Sequence, residues 1–375
     1  MIRRAKILYV VNVFGGAVSR ILMDIMPRLV KIFNVKIVSI QPFDNSERLI
    51  GEFIKKYNNL ESLNVNRFSL LKAYRNLNYY FNKIGPDIIH SHMGRADIFT
   101  AISRPKNIII MNTLHCEKRN HTLMTQISYR LTDNRVDWRI CISETVARSY
   151  YNHGLKSPHS IIYNPVNIKK LSEPINRMEL RKHMGFDKDD KILINVGRLI
   201  KSKGQRHLIE MMPYLRRLLP QVKLLIIGSG PQYNSLRDLI NKYYLQNNIY
   251  LLGYRQDVQD LLKMSDLFVY SAQWEGLGVA VIEAMVAGIP ILAHPLPALK
   301  EYIVNDQNGF FCDVLDKNNF ANKVYDVLIN YQDRLPIVTN AQKKVNMMFS
   351  AEKISNQYIK LYQQLLSNIN NRLTD

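Results

Sequence analysis

The sequence predicts an α/β protein built from two doubly wound parallel-sheet domains. Three observations lead there. At 375 residues the chain is long for a single core. Short β-like apolar runs alternate with segments of helical period, the pattern of βαβ units on a parallel sheet. The alternation pauses once, at Asn164-Pro165-Val166-Asn167 and the polar stretch from Ile168 to Asp190, and then resumes. The expected domains are therefore residues 1–166 and 167–350.

In the first domain, Lys6 to Val13 reads as a strand. Ser19 to Phe33 reads as a helix, with Ile21, Leu22, Ile25, Leu29 and Ile32 on one face. Pro27 inside that pattern should kink or shorten it. Further strands are expected at Val35–Ile40, Asp87–His90, Asn107–Met111, Arg139–Ile142 and Ser160–Tyr163. In the second domain they are expected at Lys191–Val196, Val222–Ile227, Ile249–Leu252, Leu267–Tyr270 and Ile289–Ala293. The stretch Ala351–Ile369 carries Ile354, Tyr358, Leu361 and Leu365 at helical spacing.

Composition bounds the class. No apolar run reaches the roughly 18 residues needed to cross a bilayer. The opening Met1–Val11 has the charged and apolar parts of a signal peptide but no small-residue cleavage site, and reads instead as a buried first strand. Three widely spaced cysteines form neither a disulfide framework nor a metal motif, which fits a reducing cytosol. The formal net charge is +20. Residues 1–165 hold 24 lysines and arginines against 11 acids, a net of +13. Such a balance suits an acidic partner (anionic headgroups, a lipid-linked pyrophosphate, nucleic acid) or a generally basic surface. Leu70, Tyr74, Leu77, Phe81 and Ile84 make a stripe within residues 67–84, flanked by Lys72, Arg75 and Lys83. It reads either as a membrane-surface helix or as one packed on the first sheet.

The most informative stretch runs from Ser271 to Ile291. A strand precedes it and another follows. Between them lie Glu275-Gly276-Leu277-Gly278-Val279 and a helical pattern containing Glu283. Strand, glycine loop and helix together place unpaired amides and the positive end of a helix dipole at the loop, an anion site. Two carboxylates beside an anion site suit a ligand with both hydroxyls and phosphates, such as a nucleotide-sugar. The pattern E-G-L-G-x4-E-A-M-x-A-G-x-P-I resembles the E-x7-E signature of retaining glycosyltransferases of family 4. That resemblance implies the GT-B fold: two Rossmann-like domains facing a central cleft, with the last helix, here 351–369, crossing back onto the first domain.

The resemblance extends over nearly the whole chain. Gly197-Arg198-Leu199 with Lys203-Gly204 resembles the family's G-R-L…K-G element, implying that Arg198 and Lys203 hold the donor diphosphate. Two fixed cations stabilise the charge that develops as the diphosphate leaves. Gly228-Ser-Gly230-Pro resembles the G-x-G-P turn near the nucleotide, and Gly253-Tyr254 the element beside the base. By the same resemblance Glu275 accepts hydrogen bonds from donor-sugar hydroxyls, Gly276, Leu277, Gly278 and Val279 offer amides, and Glu283 holds the ribose. Gly15 and Gly16 follow the first strand and resemble the family's N-terminal loop near donor phosphates and acceptor. Arg20 either meets an acceptor phosphate or lies in solvent. His92 and His115 end strands and resemble the family's histidines, the second beside the reacting sugar, where an imidazole can bond a hydroxyl and bear charge near neutral pH. A metal site at His90, His92 and His115 is the competing reading, disfavoured because no carboxylate motif accompanies them, and His90 itself reads as structural. One departure stands out: His294-Pro295-Leu296-Pro297-Ala298 replaces a glycine loop beside the donor, removing two N–H donors, with Glu301 a candidate sugar contact.

These readings imply a retaining, metal-independent glycosyltransferase without a cofactor, using a UDP- or GDP-linked sugar. The expected acceptor is a hydroxyl of a lipid-linked glycan in bacterial surface polysaccharide (O-antigen or capsule) assembly. The expected location is cytoplasmic, peripheral at the inner face of the membrane. Two other classes stay open: a GT-B sugar-nucleotide epimerase, and a basic nucleic-acid-binding protein suggested by the charge and 21 tyrosines, although no nucleic-acid motif is present.

Overall fold

The computed structural model describes residues 3–43, 48–66, 69–105, 107–330 and 332–374. The chain divides into two compact units, residues 1–166 with 349–375, and residues 167–348.

The first unit is a seven-stranded, wholly parallel sheet. Its strands are β1 (Lys6–Val11), β2 (Asn34–Ser39), β3 (Leu60–Ser62), β4 (Ile88–His92), β5 (Ile109–Leu114), β6 (Trp138–Cys141) and β7 (His159–Ile161), in the order β3-β2-β1-β4-β5-β6-β7. Strand alternation sends Ile7, Tyr9 and Val11 into one apolar cluster and Leu8 and Val10 into another. Both faces are therefore covered, as a parallel sheet requires. The first cluster is closed by helix Gly16–Ile32 and by Ile354, Tyr358, Leu361, Tyr362 and Leu365 of the C-terminal helix Ala351–Thr374. Val166 ties the ends of this unit together. It forms a bridge with Ser350, and its N–H donates to the Phe349 carbonyl at 3.0 Å. Phe349 and Ser350 therefore belong with the first unit, slightly earlier than the expected break at 350.

Several edges differ from the sequence reading. The helix from Gly16 passes Pro27 without ending. Its face of Ile21, Leu22, Ile25, Met26 and Leu29 is buried, and that burial outweighs one lost backbone bond. Strand β5 continues past Met111 through Asn112 and Thr113, because both polar side chains find buried partners: Arg139 Nη1 donates to Asn112 Oδ1 at 3.0 Å, and Thr113 Oγ1 pairs with His90 Nε2 at 2.7 Å. The stripe expected over 67–84 forms helix Leu70–Ile84, Arg67 lying outside the described residues. Leu77 and Phe81 pack into the second cluster with Ile84 against it, while Leu70 at the helix start is exposed, so the stripe packs on the core from Leu77 onward.

The second unit carries a six-stranded parallel sheet. Its strands are β8 (Lys191–Val196), β9 (Val222–Ile227), β10 (Ile249–Gly253), β11 (Leu267–Tyr270), β12 (Ile291–Ala293) and β13 (Phe310–Phe311), in the order β10-β9-β8-β11-β12-β13. Strand β12 begins after Pro290, which has no N–H to donate but accepts from Phe268 at 3.0 Å through its carbonyl. The two-residue β13 escaped the sequence reading because Gly309 precedes it and Cys312-Asp313 follow, leaving no run to recognise.

Both strand orders reverse once. The reversal falls between β1 and β4 in the first sheet and between β8 and β11 in the second. In open parallel sheets, loops at the carboxyl ends of such neighbouring strands diverge and leave room for a ligand.

Candidate functional site

In the second unit the reversal lies between β8 and β11, and the expected donor residues gather there. Residues Lys201–Lys203 form a single 3-10 turn after β8. It is stitched to the loop after β11: Ser271 Oγ donates to the Lys203 carbonyl at 2.9 Å, and the Gln273 N–H to the Ser202 carbonyl at 2.8 Å. This brings Lys203 and Glu275 into a direct ion pair. Tyr270, the last residue of β11, donates its hydroxyl to the same carboxylate and receives a bond from Lys203 Nζ at 3.2 Å. The Gly276 N–H donates to the other carboxylate oxygen at 3.1 Å. Burial pushes the Glu275 carboxyl up, but the charge and hydrogen bond of Lys203, with the Tyr270 and Gly276 donors, hold it below its ordinary value. Glu275 is thus an ionised, oriented acceptor. Burial, then the neighbouring Glu275 charge, raises the Tyr270 phenol far above its ordinary value, so it stays a donor.

The turns after β8 and β9 touch through backbone. A Cβ on Gly228, at φ +140°, would lie 1.9 Å from the Gly197 carbonyl oxygen, so only glycine fits there. Gly230 approaches the Leu199 carbonyl in the same way, and the Leu199 N–H donates to Ser229 at 2.8 Å. The contact holds Arg198 outward: its side chain is exposed, while Gln205 Nε2 donates to its carbonyl at 3.1 Å. Tyr254, after β10, is exposed. Gly278, at φ +81°, precedes helix Val279–Ala287. A Cβ there would meet Leu299 at 2.6 Å and the Tyr302 hydroxyl at 3.0 Å, and that hydroxyl donates to the Leu277 carbonyl at 2.9 Å. Val281 and Ile282 donate to the Gly278 carbonyl at 2.9 and 3.2 Å, which leaves the amides of Val279 and Ala280 at the helix start with no intrahelical acceptor. Glu283 is half-buried on the same helix.

Pro297 is in the first turn of helix Pro297–Lys300, where a missing N–H removes nothing the helix uses. Glu301 caps that helix's carboxyl end.

In the first unit the reversal lies between β1 and β4. Gly15 and Gly16 follow β1, Gly15 capping the helix that starts at Gly16, and Arg20 is exposed on that helix. His92 ends β4, and its Nδ1 meets His115 Nε2, just past β5, at 2.8 Å. Behind them runs a buried polar chain that the sequence did not reveal. His90 Nδ1 meets the Tyr362 hydroxyl at 2.6 Å, and that hydroxyl meets Tyr9's at 2.7 Å. The rings of His90, His92 and His115 stack in series, with centroids 4.6 Å and 5.1 Å apart.

Burial drives all three imidazoles down: His90 to about 3, His92 well below its ordinary value, and His115 to about 4. His115 is therefore neutral near pH 7. His92 Nε2 is buried without a partner. A bare lone pair is tolerated better in such a place than a bare N–H, so His92 carries its proton on Nδ1 and donates to His115 Nε2. His115 then holds its own proton on Nδ1, as a neutral hydrogen-bond donor. Both nitrogens of His90 are engaged, which removes it as a metal ligand. No cluster of three metal-ligating side chains occurs among the described residues.

Two family models match the chain: Glycosyltransferase Family 4 over residues 18–170, and Glycosyl transferases group 1 over residues 176–344. An uncharacterized glycosyltransferase of Methanocaldococcus jannaschii is 30% identical over 242 residues, covering 60% of each chain. With the N-acetyl-alpha-D-glucosaminyl L-malate synthase of Bacillus anthracis, 26% identical, the match spans 58% of that protein's length, so these relatives are matched over little more than half their length. The UDP-Gal:alpha-D-GlcNAc-diphosphoundecaprenol alpha-1,3-galactosyltransferase of Escherichia coli is 25% identical over 320 residues, 79% of this chain and 81% of that one. Among solved structures, Anabaena HepE in complex with UDP superposes with a TM-score of 0.83 at 20% identity, covering 96% of this chain and 100% of that one. The chain belongs to glycosyltransferase family 4, the group 1 glycosyltransferases of GT-B fold.

Proposed function

We propose that this protein is a retaining glycosyltransferase that moves a sugar from a UDP- or GDP-linked donor to a hydroxyl of a lipid-linked glycan in bacterial surface polysaccharide (O-antigen or capsule) assembly. The observation that carries the proposal is the Lys203–Glu275 pair at the strand-order reversal of the second unit, beside the outward Arg198. The reading is supported by relatives. The E. coli galactosyltransferase is named for a diphosphoundecaprenol acceptor, a Staphylococcus aureus relative for capsular polysaccharide biosynthesis, and HepE has been solved with UDP-glucose.

In the proposed reaction the acceptor oxygen bonds to the anomeric carbon as the bond from that carbon to the diphosphate breaks. The acceptor proton passes to a leaving phosphate oxygen on the same face. Arg198 and Lys203 neutralise the charge that accumulates on the diphosphate. Glu275 orients donor-sugar hydroxyls, amides from Gly276 to Val279 bind sugar and phosphate, and Glu283 holds the ribose. His115 donates from Nδ1 to a sugar hydroxyl, with Gly16 on the donor side and His92, Gly15 and Arg20 on the acceptor side. Neither a metal ion nor a cofactor takes part. The proposed place of action is the inner face of the membrane; no helix among the described residues is long and apolar enough to cross a membrane.

The test is incubation of the protein with UDP- and GDP-sugars and synthetic lipid-diphosphate glycans, with chelator present. The expected result is release of nucleoside diphosphate that depends on acceptor, with the donor's anomeric configuration retained in the product by NMR. Conversion of a nucleotide-sugar without acceptor would point to the epimerase instead, and inversion of configuration would refute the mechanism.

A further inference from the structure

We infer that helix Leu123–Leu131 is the surface by which the first unit docks on an anionic lipid bilayer. Leu123, Met124, Ile127 and Leu131 are 71, 77, 46 and 74% exposed. At 100° per residue they share an arc of about 100° on one side of the helix. The helix's single buried residue, Tyr129, points the opposite way. A soluble surface seldom groups four large apolar side chains in this manner without something to cover them.

Charge identifies the cover. The helix carries no acid and ends with exposed Arg130, and exposed Arg135 lies just beyond. The acids nearby are already committed: Glu117 to Arg119, Asp133 to the buried Arg139, Asp137 to Arg104, and the buried Asp97 to Tyr129 itself. An apolar arc edged by arginines on a segment of net charge +13 (residues 1–165) is complementary to anionic headgroups over acyl chains. A second copy of the same basic unit would meet it with repulsion.

The buried side links this surface to the candidate acceptor side. Tyr129 donates its hydroxyl to Asp97 at 2.5 Å and accepts the Gly94 N–H at 3.1 Å. Met93 and Gly94, directly after His92, take φ +78° and +44°, conformations that this anchoring sustains. The lipid-facing helix is thus pinned to the loop beside His92, so docking holds that loop at the headgroup layer.

Flotation of the full chain with vesicles tests the inference without relying on transferase activity. Wild type should bind phosphatidylglycerol-containing vesicles at low salt, and at least about tenfold less to pure phosphatidylcholine or in about 0.5 M salt. Leu123→Gln/Met124→Gln/Leu131→Gln should weaken binding at least about tenfold while its melting temperature stays that of wild type. Arg130→Gln/Arg135→Gln should weaken it severalfold. The inference is overturned if wild type ignores anionic vesicles, or if the folded triple variant binds as well as wild type. A triple variant that loses self-association in gel filtration but keeps vesicle binding would assign the face to a second copy and overturn it too.

Discussion

Lys203→Met should destabilise the second unit by about 2–3 kcal/mol. Truncating one member of a buried ion pair costs about 3–5 kcal/mol, because the other charge is left without its partner. Here the two side chains keep 17% and 19% of their exposure, and Glu275 retains the Tyr270 hydroxyl and the Gly276 N–H, so the lower figure applies. The assay is urea unfolding followed by Trp274 fluorescence in a Trp138→Phe background, since each unit holds one of the two tryptophans. Adding Glu275→Gln to Lys203→Met should restore at least half of the loss, so that with Glu275→Gln alone as the third variant the coupling energy is at least about 1 kcal/mol. The pH dependence has a definite sign. The folded Glu275 value is depressed, so its stabilisation is present above the ordinary carboxylate value of about 4.3 and is lost as pH falls through the lower folded value. Without Lys203 that loss should move to higher pH. A Lys203→Met cost under about 0.5 kcal/mol, or strict additivity in the double variant, would refute the reasoning.

Three further outcomes follow from the same geometry. The first unit should be acid-labile. His90, His92 and His115 titrate below the ordinary value of about 6.5, so the unfolded chain binds more protons and stability falls as pH drops from there toward 4. Each histidine contributes up to about 1.4 kcal/mol per pH unit. Asp97, raised to about 6 by burial against its hydrogen bonds, opposes part of the slope between about pH 4 and 6; Trp138 fluorescence in a Trp274→Phe background reads the sum. Tyr362→Phe removes the hydroxyl shared by His90 and Tyr9 and should cost about 2–4 kcal/mol in that same measurement, by leaving two buried polar groups short of a partner. Gly228→Ala drives a Cβ into the Gly197 carbonyl and should destabilise the second unit by at least about 3 kcal/mol, with weakened nucleotide binding by calorimetry.

Much of the candidate donor side could be proposed from sequence because its residues lie near one another along the chain or directly after apolar strands. Glu275, the glycine loop and Glu283 fall within nine residues, and Arg198 and Lys203 follow a clear strand. What escaped depends on distant partners. Tyr362 meets Tyr9 across 353 positions, and no local pattern marks a tyrosine as the hub of a buried network. Periodicity also gives no sign of which apolar face is covered. The stripe of helix Leu70–Ile84 packs inward from Leu77 onward, while that of Leu123–Leu131 is exposed, and the two look alike on paper. The charge state of His115 could not be read from sequence, because burial sets its titration. Asn112 and Thr113 hid the end of β5 for a related reason: polar residues read as a strand's end unless their buried partners are known.

The central claim is that the second unit binds a nucleotide-sugar through Arg198, Lys203, Glu275 and Glu283. Titration calorimetry with UDP, GDP and ADP tests it most directly, on wild type and on Arg198→Ala and Glu283→Ala. Binding of UDP or GDP is expected, weakened at least about tenfold in each variant, since each loses a contact worth about 1.4 kcal/mol or more. Folded wild-type protein that binds none of the three, or variants that bind as tightly as wild type, would contradict it.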